Sequence, residues 1–148
     1  MDISIKKASL QDLEDIIFVQ KNNEIILSNE IIENDLSNTS KMYLVAKNYN
    51  LIIGYVACDL NYDQADITAF LVDKTYRNLG IGSTLMKHLI YYLTKEHIND
   101  IMLEVRSSNT IAIKLYTKEG FEFVSKRSKY YGDDDAFIFK HNPNNKKH

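Results

Sequence analysis

The stretch Phe70-Leu71-Val72-Asp73-Lys74-Thr75-Tyr76-Arg77-Asn78-Leu79-Gly80-Ile81-Gly82-Ser83 runs from an apolar segment into two closely spaced glycines, and its flanks decide the fold. Downstream, Ile81, Leu85, Leu89 and Leu93 recur every four residues with Tyr92 alongside, the buried stripe of one amphipathic helix. Upstream, Ala65 to Val72 reads as a strand with Ile67, Ala69 and Leu71 on one face. Before it lie two apolar runs, Met42 to Ala46 and Leu51 to Cys58, joined by Asn48-Tyr49-Asn50. Asparagine tolerates the left-handed backbone of a tight turn, so these runs form a hairpin. The glycines therefore follow an antiparallel meander.

Working outward, Ile3 and Ile5 alternate with polar residues as a short first strand. Ser9 with Asp12 forms a capping box, after which Leu13, Ile16, Ile17 and Gln20 trace a helical period. Ser28 caps a second short helix carrying Ile31, Ile32 and Leu36. Beyond the glycines, Ile101 to Val105 reads as a strand. Asn109 or Ser108 then caps a helix with Ile111, Ala112, Leu115 and Tyr116 inward, and Gly120 ends it. Phe121 and Phe123, then Phe137 and Phe139, alternate as two closing strands. The order is β-α-α-β-β-β-α-β-α-β-β. A run of antiparallel strands followed by a β-α-β crossover gives an α/β fold with a mixed, mostly antiparallel central sheet and helices on both faces.

No repeat or linker divides the 148 residues, so residues 1–140 form a single domain, followed by a polar, disordered tail over 141–148 that holds the only proline, Pro143. Eighteen basic against 20 acidic residues give a net charge of −2, so no global positive field exists to gather nucleic acid or anionic lipid. The start of the chain lacks the pattern of a signal peptide, and the longest apolar stretch is far shorter than the roughly 20 residues of a membrane span. These features point to a cytoplasmic protein with no nucleic-acid or membrane partner, monomeric or homodimeric. The single Cys58 sits in an apolar run and reads as a packed thiol. His88, His97, His141 and His148 show no ligand spacing with it, so no metal site is expected.

Three phosphate-binding loops could contain Gly80-Ile81-Gly82. A P-loop ends in Gly-Lys-Ser/Thr, whereas here Gly82-Ser83-Thr84 has no lysine. A dinucleotide fingerprint needs a small residue three places after Gly82, and Leu85 stands there. The third option is a pyrophosphate cradle, with amides from Leu79 to Ser83 aimed at the phosphates and the helix dipole adding attraction. Arg77 adds a positive charge there or braces the loop. By itself the segment is equally compatible with an ordinary turn before a helix.

The residues Arg77-Asn78-Leu79-Gly80-Ile81-Gly82, after a strand ending in Val72, resemble the central motif of the GNAT acetyltransferase superfamily. The later segment Leu103-Glu104-Val105-Arg106-Ser107-Ser108-Asn109, with Ala112, Leu115-Tyr116, Gly120-Phe121 and Arg127, is similar to the bacterial ribosomal-protein-alanine N-acetyltransferases. Tyr130-Tyr131-Gly132-Asp133-Asp134-Asp135-Ala136 resembles a segment those enzymes share with eukaryotic protein N-terminal acetyltransferases. The resemblance implies the GNAT fold and acetyl-CoA as co-substrate. It implies that Phe70, Leu71 and Val72 line the pantetheine, with a backbone amide on the thioester oxygen. Arg77, Asn78, Leu79, Gly80, Ile81, Gly82 and Ser83 would hold the pyrophosphate, and Asn109 the pantetheine arm. It makes Glu104 the base, Tyr116 the acid, and Tyr130 and Tyr131 the border of a peptide slot. The acceptor it implies is the α-amine of a protein N-terminus, a ribosomal protein.

The residues support part of this directly. An α-amine has a pKa of about 8 and a lysine about 10.4, so lysine costs roughly 3 kcal/mol more to deprotonate at neutral pH. An N-terminal amine is the easier acceptor for a carboxylate base. Glu104 interrupts an apolar strand, where a carboxylate is costly to bury unless paired or functional; the alternative to a base is an ion pair with Arg106, which shares its face. Asn109 can be a plain helix cap as well as a ligand. Asp133-Asp134-Asp135 reads as a solvated turn that pairs Arg127 or Lys129. One departure concerns the acceptor: the ribosomal-protein enzymes carry an aromatic pair between the first two helices, where this chain has Ile26-Leu27-Ser28 and no tryptophan. Small-amine acetylation (a polyamine or aminosugar) and a non-catalytic coenzyme-binding module are the rival readings.

Overall fold

Short polar residues start most of the helices. In the computed structural model, which describes residues 1–143, the Ser9 amide donates to Asp12 Oδ2 at 2.9 Å. This opens a 3-10 turn leading into α1 (Leu13–Lys21). Ser28 Oγ accepts from the Ile31 amide at 3.2 Å at the start of α2 (Asn29–Leu36). The third helix, α3 (Ile81–Lys95), starts without a side-chain cap, at Gly80 in the left-handed conformation (φ 80°). Asn109 Oδ1 caps α4 (Thr110–Lys118) by accepting from the Ala112 amide at 3.2 Å.

The strands are β1 (Ile3–Lys7), β2 (Lys41–Asn48), β3 (Leu51–Asn61), β4 (Gln64–Val72), β5 (Asp100–Arg106), β6 (Phe121–Arg127) and β7 (Ala136–His141). They form one sheet in the order β1-β2-β3-β4-β5-β7-β6. All neighbouring pairs are antiparallel except β4 and β5, the two strands joined through α3. The element order and mixed sheet agree with the reading from sequence. In the β2–β3 turn the left-handed residue is Tyr49 (φ 54°) rather than an asparagine; that tolerance is used instead by Asn78 (φ 63°) in the glycine loop. The last strand runs one residue past the expected domain end at 140. His141 is the last residue of β7, 5% exposed, with its ring against Phe121; residues 144–148 of the expected disordered tail lie outside the described residues.

Two apolar cores lie on opposite faces of the sheet. On one, α1 and α2 bring Ile16, Val19 and Ile32 onto Tyr43, Val45, Ile52, Tyr55, Ala57, Ala69 and Leu71. On the other, the α3 stripe of Ile81, Leu85, Leu89 and Leu93, with Met86, packs with Tyr116 of α4 on residues of β2 to β7. Each fully buried Leu of that stripe contributes roughly 1.5–3 kcal/mol. The α1/α2 core contains no residue of β5, β6 or β7, so that half of the sheet face is left for other uses.

Two irregularities shape the centre. Ala57 pairs with Ala69 and Cys58 with Ile67, so Thr68 is an extra residue on β4. This bulge reverses the alternation: Ile67 packs in the α3/α4 core, whereas Ala69 and Leu71 face α1 and α2. The three residues expected on one face are therefore split between two. In addition, β4 pairs with β5 only from Gln64 to Ile67 against Asp100 to Leu103. Beyond that point β4 stays with β3 as far as Val72, and β5 stays with β7 as far as Arg106. The sheet opens between Thr68–Val72 and Glu104–Arg106.

Candidate active site

The divergence of β4 and β5 leaves a gap flanked by backbone edges that pair on one side only. Phe70 and Val72 face the α3/α4 side and Leu71 the α1/α2 side. Arg77 Nε donates to the Val72 carbonyl at 3.2 Å. Arg77 thus braces the strand end to the loop that follows, one of the two roles its sequence position allowed.

That loop delivers the chain to α3 through Asn78 and Gly80, both at positive φ. The first intrahelical bond of α3 is Thr84 N to Gly80 O at 3.0 Å, and Gly80 offers no capping side chain. The amides of the first turn are left to face outward at the positive end of the helix dipole, a site suited to an anionic group. Gly82 leaves little room for a side chain: a Cβ there would lie 3.1 Å from Phe70 Cζ and 3.4 Å from Leu115 Cδ2. Ser83, read as a phosphate ligand, gives its hydroxyl to the buried Glu119 carboxylate, which also faces Lys87 Nζ at 3.5 Å. Only its backbone amide then remains for a ligand in this arrangement.

Glu104 and Tyr116 are on opposite faces. Leu103 and Val105 belong to the α3/α4 core, so Glu104 projects to the other side of β5. No helix covers β5 there, and the Glu104 side chain is 30% exposed, so the burial expected for a carboxylate on a central strand does not arise. Its partners are the Tyr131 hydroxyl, which donates to Oε2 at 3.0 Å, and Arg127, whose Nη1 is 3.6 Å from Oε1. Arg106 is not its partner. Arg106 stacks over the Tyr131 ring at 4.2 Å and reaches Asp134 at 3.9 Å.

Tyr116 is 7% exposed and lies between Phe70 and Phe121, with ring centroids 6.0 and 5.9 Å away. Burial disfavours the phenolate and pushes its hydroxyl up to about 12. The group therefore keeps its proton throughout the neutral range. Asn109 is a helix cap, as one of its two readings held.

The β6–β7 loop carrying Tyr130 and Tyr131 is docked on the β5–α4 loop. Asp134 accepts from the Ser107 and Ser108 hydroxyls at 2.5 Å each, and Asp135 accepts from the Lys129 amide at 2.6 Å. Of the two expected partners of the acidic run, Lys129 meets it through its backbone amide, whereas Arg127 is held by Glu104 and lies over the Tyr130 ring at 5.3 Å. The serine hydroxyls hold the Asp134 carboxyl below its ordinary value. A depressed carboxylate stabilises the docked loop above the unfolded value of about 3.9 and loses that effect as pH falls through the lower folded value. Limited proteolysis should leave the loop intact from neutrality down to about pH 4 and cut it progressively more readily in stronger acid. Acid-independent cutting would remove Asp134 as the anchor.

The sequence profile of the Acetyltransferase (GNAT) family matches residues 8–121. The chain belongs to the GNAT acetyltransferase family. This N-acetyltransferase is 35% identical over 107 residues to an uncharacterized N-acetyltransferase of Methanocaldococcus jannaschii, covering 70% of this chain and 69% of that one. It is 40% identical over 80 residues to the [ribosomal protein bS18]-alanine N-acetyltransferase of Escherichia coli, covering 51% of this chain and 54%, about half, of that enzyme. The crystal structure of the ribosomal-protein-S18-alanine N-acetyltransferase from Escherichia coli has the same fold, with a TM-score of 0.87, 24% identity, and coverage of 95% of this chain and 93% of that one. So does the paiA N-acetyltransferase from Thermoplasma acidophilum in complex with coenzyme A, with a TM-score of 0.77, 24% identity, and coverage of 95% and 99%.

In this acetyltransferase a polar cluster on the α1/α2 side was missed from sequence. Asn23 Nδ2 donates to Asp73 Oδ2 at 3.3 Å, and Asn23 Oδ1 accepts from the Lys74 amide at 2.9 Å. These bonds tie the α1–α2 loop to the end of β4. Buried Gln20 holds the same loop from inside. The available signal was a glutamine on the otherwise apolar stripe of Leu13, Ile16 and Ile17. Among the described residues no group of three or more His, Cys, Asp or Glu is placed to hold a metal ion, and no helix is long and apolar enough to cross a membrane.

Proposed function

We propose that the protein transfers an acetyl group from acetyl-CoA to the α-amine of a protein N-terminus, that of a ribosomal protein, in a ternary complex without an acyl-enzyme. The observation that carries this is the placement of Glu104 beside the β4–β5 gap, bonded to Tyr131, with Tyr116 on the far face. The gap separates β4 from β5 at this point, and a thioester crossing it would meet a carboxylate on one side and a protonated phenol on the other.

Acetyl-CoA would supply the activated acetyl group as a thioester. Amides of Leu79 to Ser83, with Asn78, Gly80 and Gly82 shaping the loop, would hold the pyrophosphate, and Arg77 would keep the loop against β4. Phe70 and Val72, with the backbone of Leu71 between them, would line the pantetheine, with a β4 amide on the thioester oxygen, a donor worth on the order of 3 kcal/mol. Asn109 would turn its amide nitrogen to the pantetheine while its oxygen caps α4. Glu104 would take a proton from the incoming amine, directly or through water. Tyr116 would give its proton to the departing thiolate. Tyr130 and Tyr131 would border the acceptor on one side and the α1–α2 loop on the other. The named activity of the Escherichia coli relative supports the ribosomal-protein acceptor, and the coenzyme A complex of the Thermoplasma protein supports the co-substrate. A cytoplasmic location follows from that acceptor.

The test is a panel of N-terminal peptides assayed beside polyamines, aminosugars and free lysine. Peptides beginning with the sequences of ribosomal proteins should give the highest kcat/KM, with acetate found on the α-nitrogen by mass spectrometry. A polyamine or aminosugar outrunning every peptide would replace this reading with small-amine acetylation.

A further inference from the structure

Gln20 is 1% exposed and its carboxamide makes four hydrogen bonds. Its Oε1 accepts from the Tyr55 hydroxyl at 2.5 Å and from the Ile26 and Leu27 amides at 3.2 Å each. Its Nε2 donates to the Leu27 carbonyl at 2.8 Å. One side chain of α1 therefore satisfies three backbone groups of a loop that belongs to no regular element, and it fastens them to Tyr55 on β3. A buried amide this fully engaged specifies one geometry, since any shift leaves polar groups unpaired in the core.

The fastened loop occupies a particular place. Tyr55 is opposite Leu71 in the β3–β4 register, and Asn23 ties the loop's first residues to Asp73 and Lys74 just past β4. The loop thus stands at the gap end of β4, on the sheet face from which Glu104 projects. With Ile26 and Leu27 drawn in, Ile25 is left 69% exposed as an apolar lip.

We propose that Gln20 is a positioning residue for acceptor recognition: it sets the height of the α1–α2 lip against which residues of the acceptor beyond the first are placed, without touching the reacting atoms. This rests on the peptide-acceptor reading above. It predicts a change confined to peptide binding, because the coenzyme cradle lies on α3 and β4 and the proton-transfer groups on β5 and α4.

The experiment compares the wild type with Gln20→Met, which keeps the side chain's bulk and removes its hydrogen bonds, and with Tyr55→Phe, which keeps the ring stacked on Tyr43 and removes one bond. Each is assayed with an acceptor hexapeptide and with alaninamide, which has an α-amine but no residue beyond the first. For Gln20→Met the KM of the hexapeptide should rise about tenfold or more while kcat at saturation, the KM of alaninamide and the Kd of acetyl-CoA each stay within about twofold. Tyr55→Phe should change the same parameter in the same direction by less, and it carries the test if Gln20→Met does not fold. Unchanged hexapeptide KM in the folded variants would overturn the proposal. A parallel rise for hexapeptide, alaninamide and acetyl-CoA would also overturn it, by reducing Gln20 to a general stabiliser. A wild type that acetylates alaninamide but no peptide would instead remove the peptide-acceptor reading, and this one with it.

Discussion

Glu104→Gln should lower kcat by about 10²–10⁴, the range expected when a general base is removed, equivalent to roughly 3–5 kcal/mol of barrier. The substitution is nearly isosteric, and the amide oxygen can still accept from Tyr131. Arg127 loses its counter-ion, but with 59% of its side chain exposed that loss has little effect on stability. Acetyl-CoA affinity, measured by calorimetry, should be retained, because the amides proposed to hold its phosphates are at the start of α3, away from β5. The pH profile adds a second check. An α-amine acceptor must be neutral to attack, so kcat/KM should climb toward about pH 8. Tyr116, raised to about 12, should cause no alkaline fall below that region. Turnover unchanged in Glu104→Gln would mean that water deprotonates the amine without this carboxylate.

Gly54→Ala should cost about 1–3 kcal/mol, the range for forcing extra atoms into a packed interior. A Cβ at this position would lie 2.8 Å from the Leu71 carbonyl oxygen and 3.4 Å from Leu85 Cδ1. The close atom is backbone, so relief requires β4 to move, and Gly54 is paired with Val72 at the end of β4 that borders the gap. A melting temperature several degrees lower is expected, at roughly 2–4 °C per kcal/mol for a chain of this size. Coenzyme affinity should fall with it, since Val72 is displaced. A variant as stable as the wild type would show that the β3–β4 spacing yields more easily than its close contact implies.

Much of the fold was legible because it rests on local signals. The period-four stripe of Ile81, Leu85, Leu89 and Leu93 is buried as it predicts, and Ser28 and Asn109 cap the helices they precede. These are interactions between residues a few positions apart, which a one-dimensional reading captures. The Thr68 bulge was not legible, since no residue type marks it, and it overturned the face assignment of Ile67. The partner of Glu104 was also missed. Arg106 is two residues away and shares its face, but Arg127 arrives from β6 because β7 alone separates β5 from β6, a proximity set by strand order.

The sequence by itself determined the element order, the mixed sheet, the GNAT family resemblance and the residue types available for acetyl transfer. Periodicity, caps and glycine spacing depend on near neighbours, and those are written in order along the chain. Only the tertiary structure decided where β4 and β5 part, that Glu104 and Tyr116 flank that opening from opposite faces, and that Gln20 reaches across to the α1–α2 loop. Those relations depend on which strands lie beside each other and how far they stay paired, and long-range packing settles both.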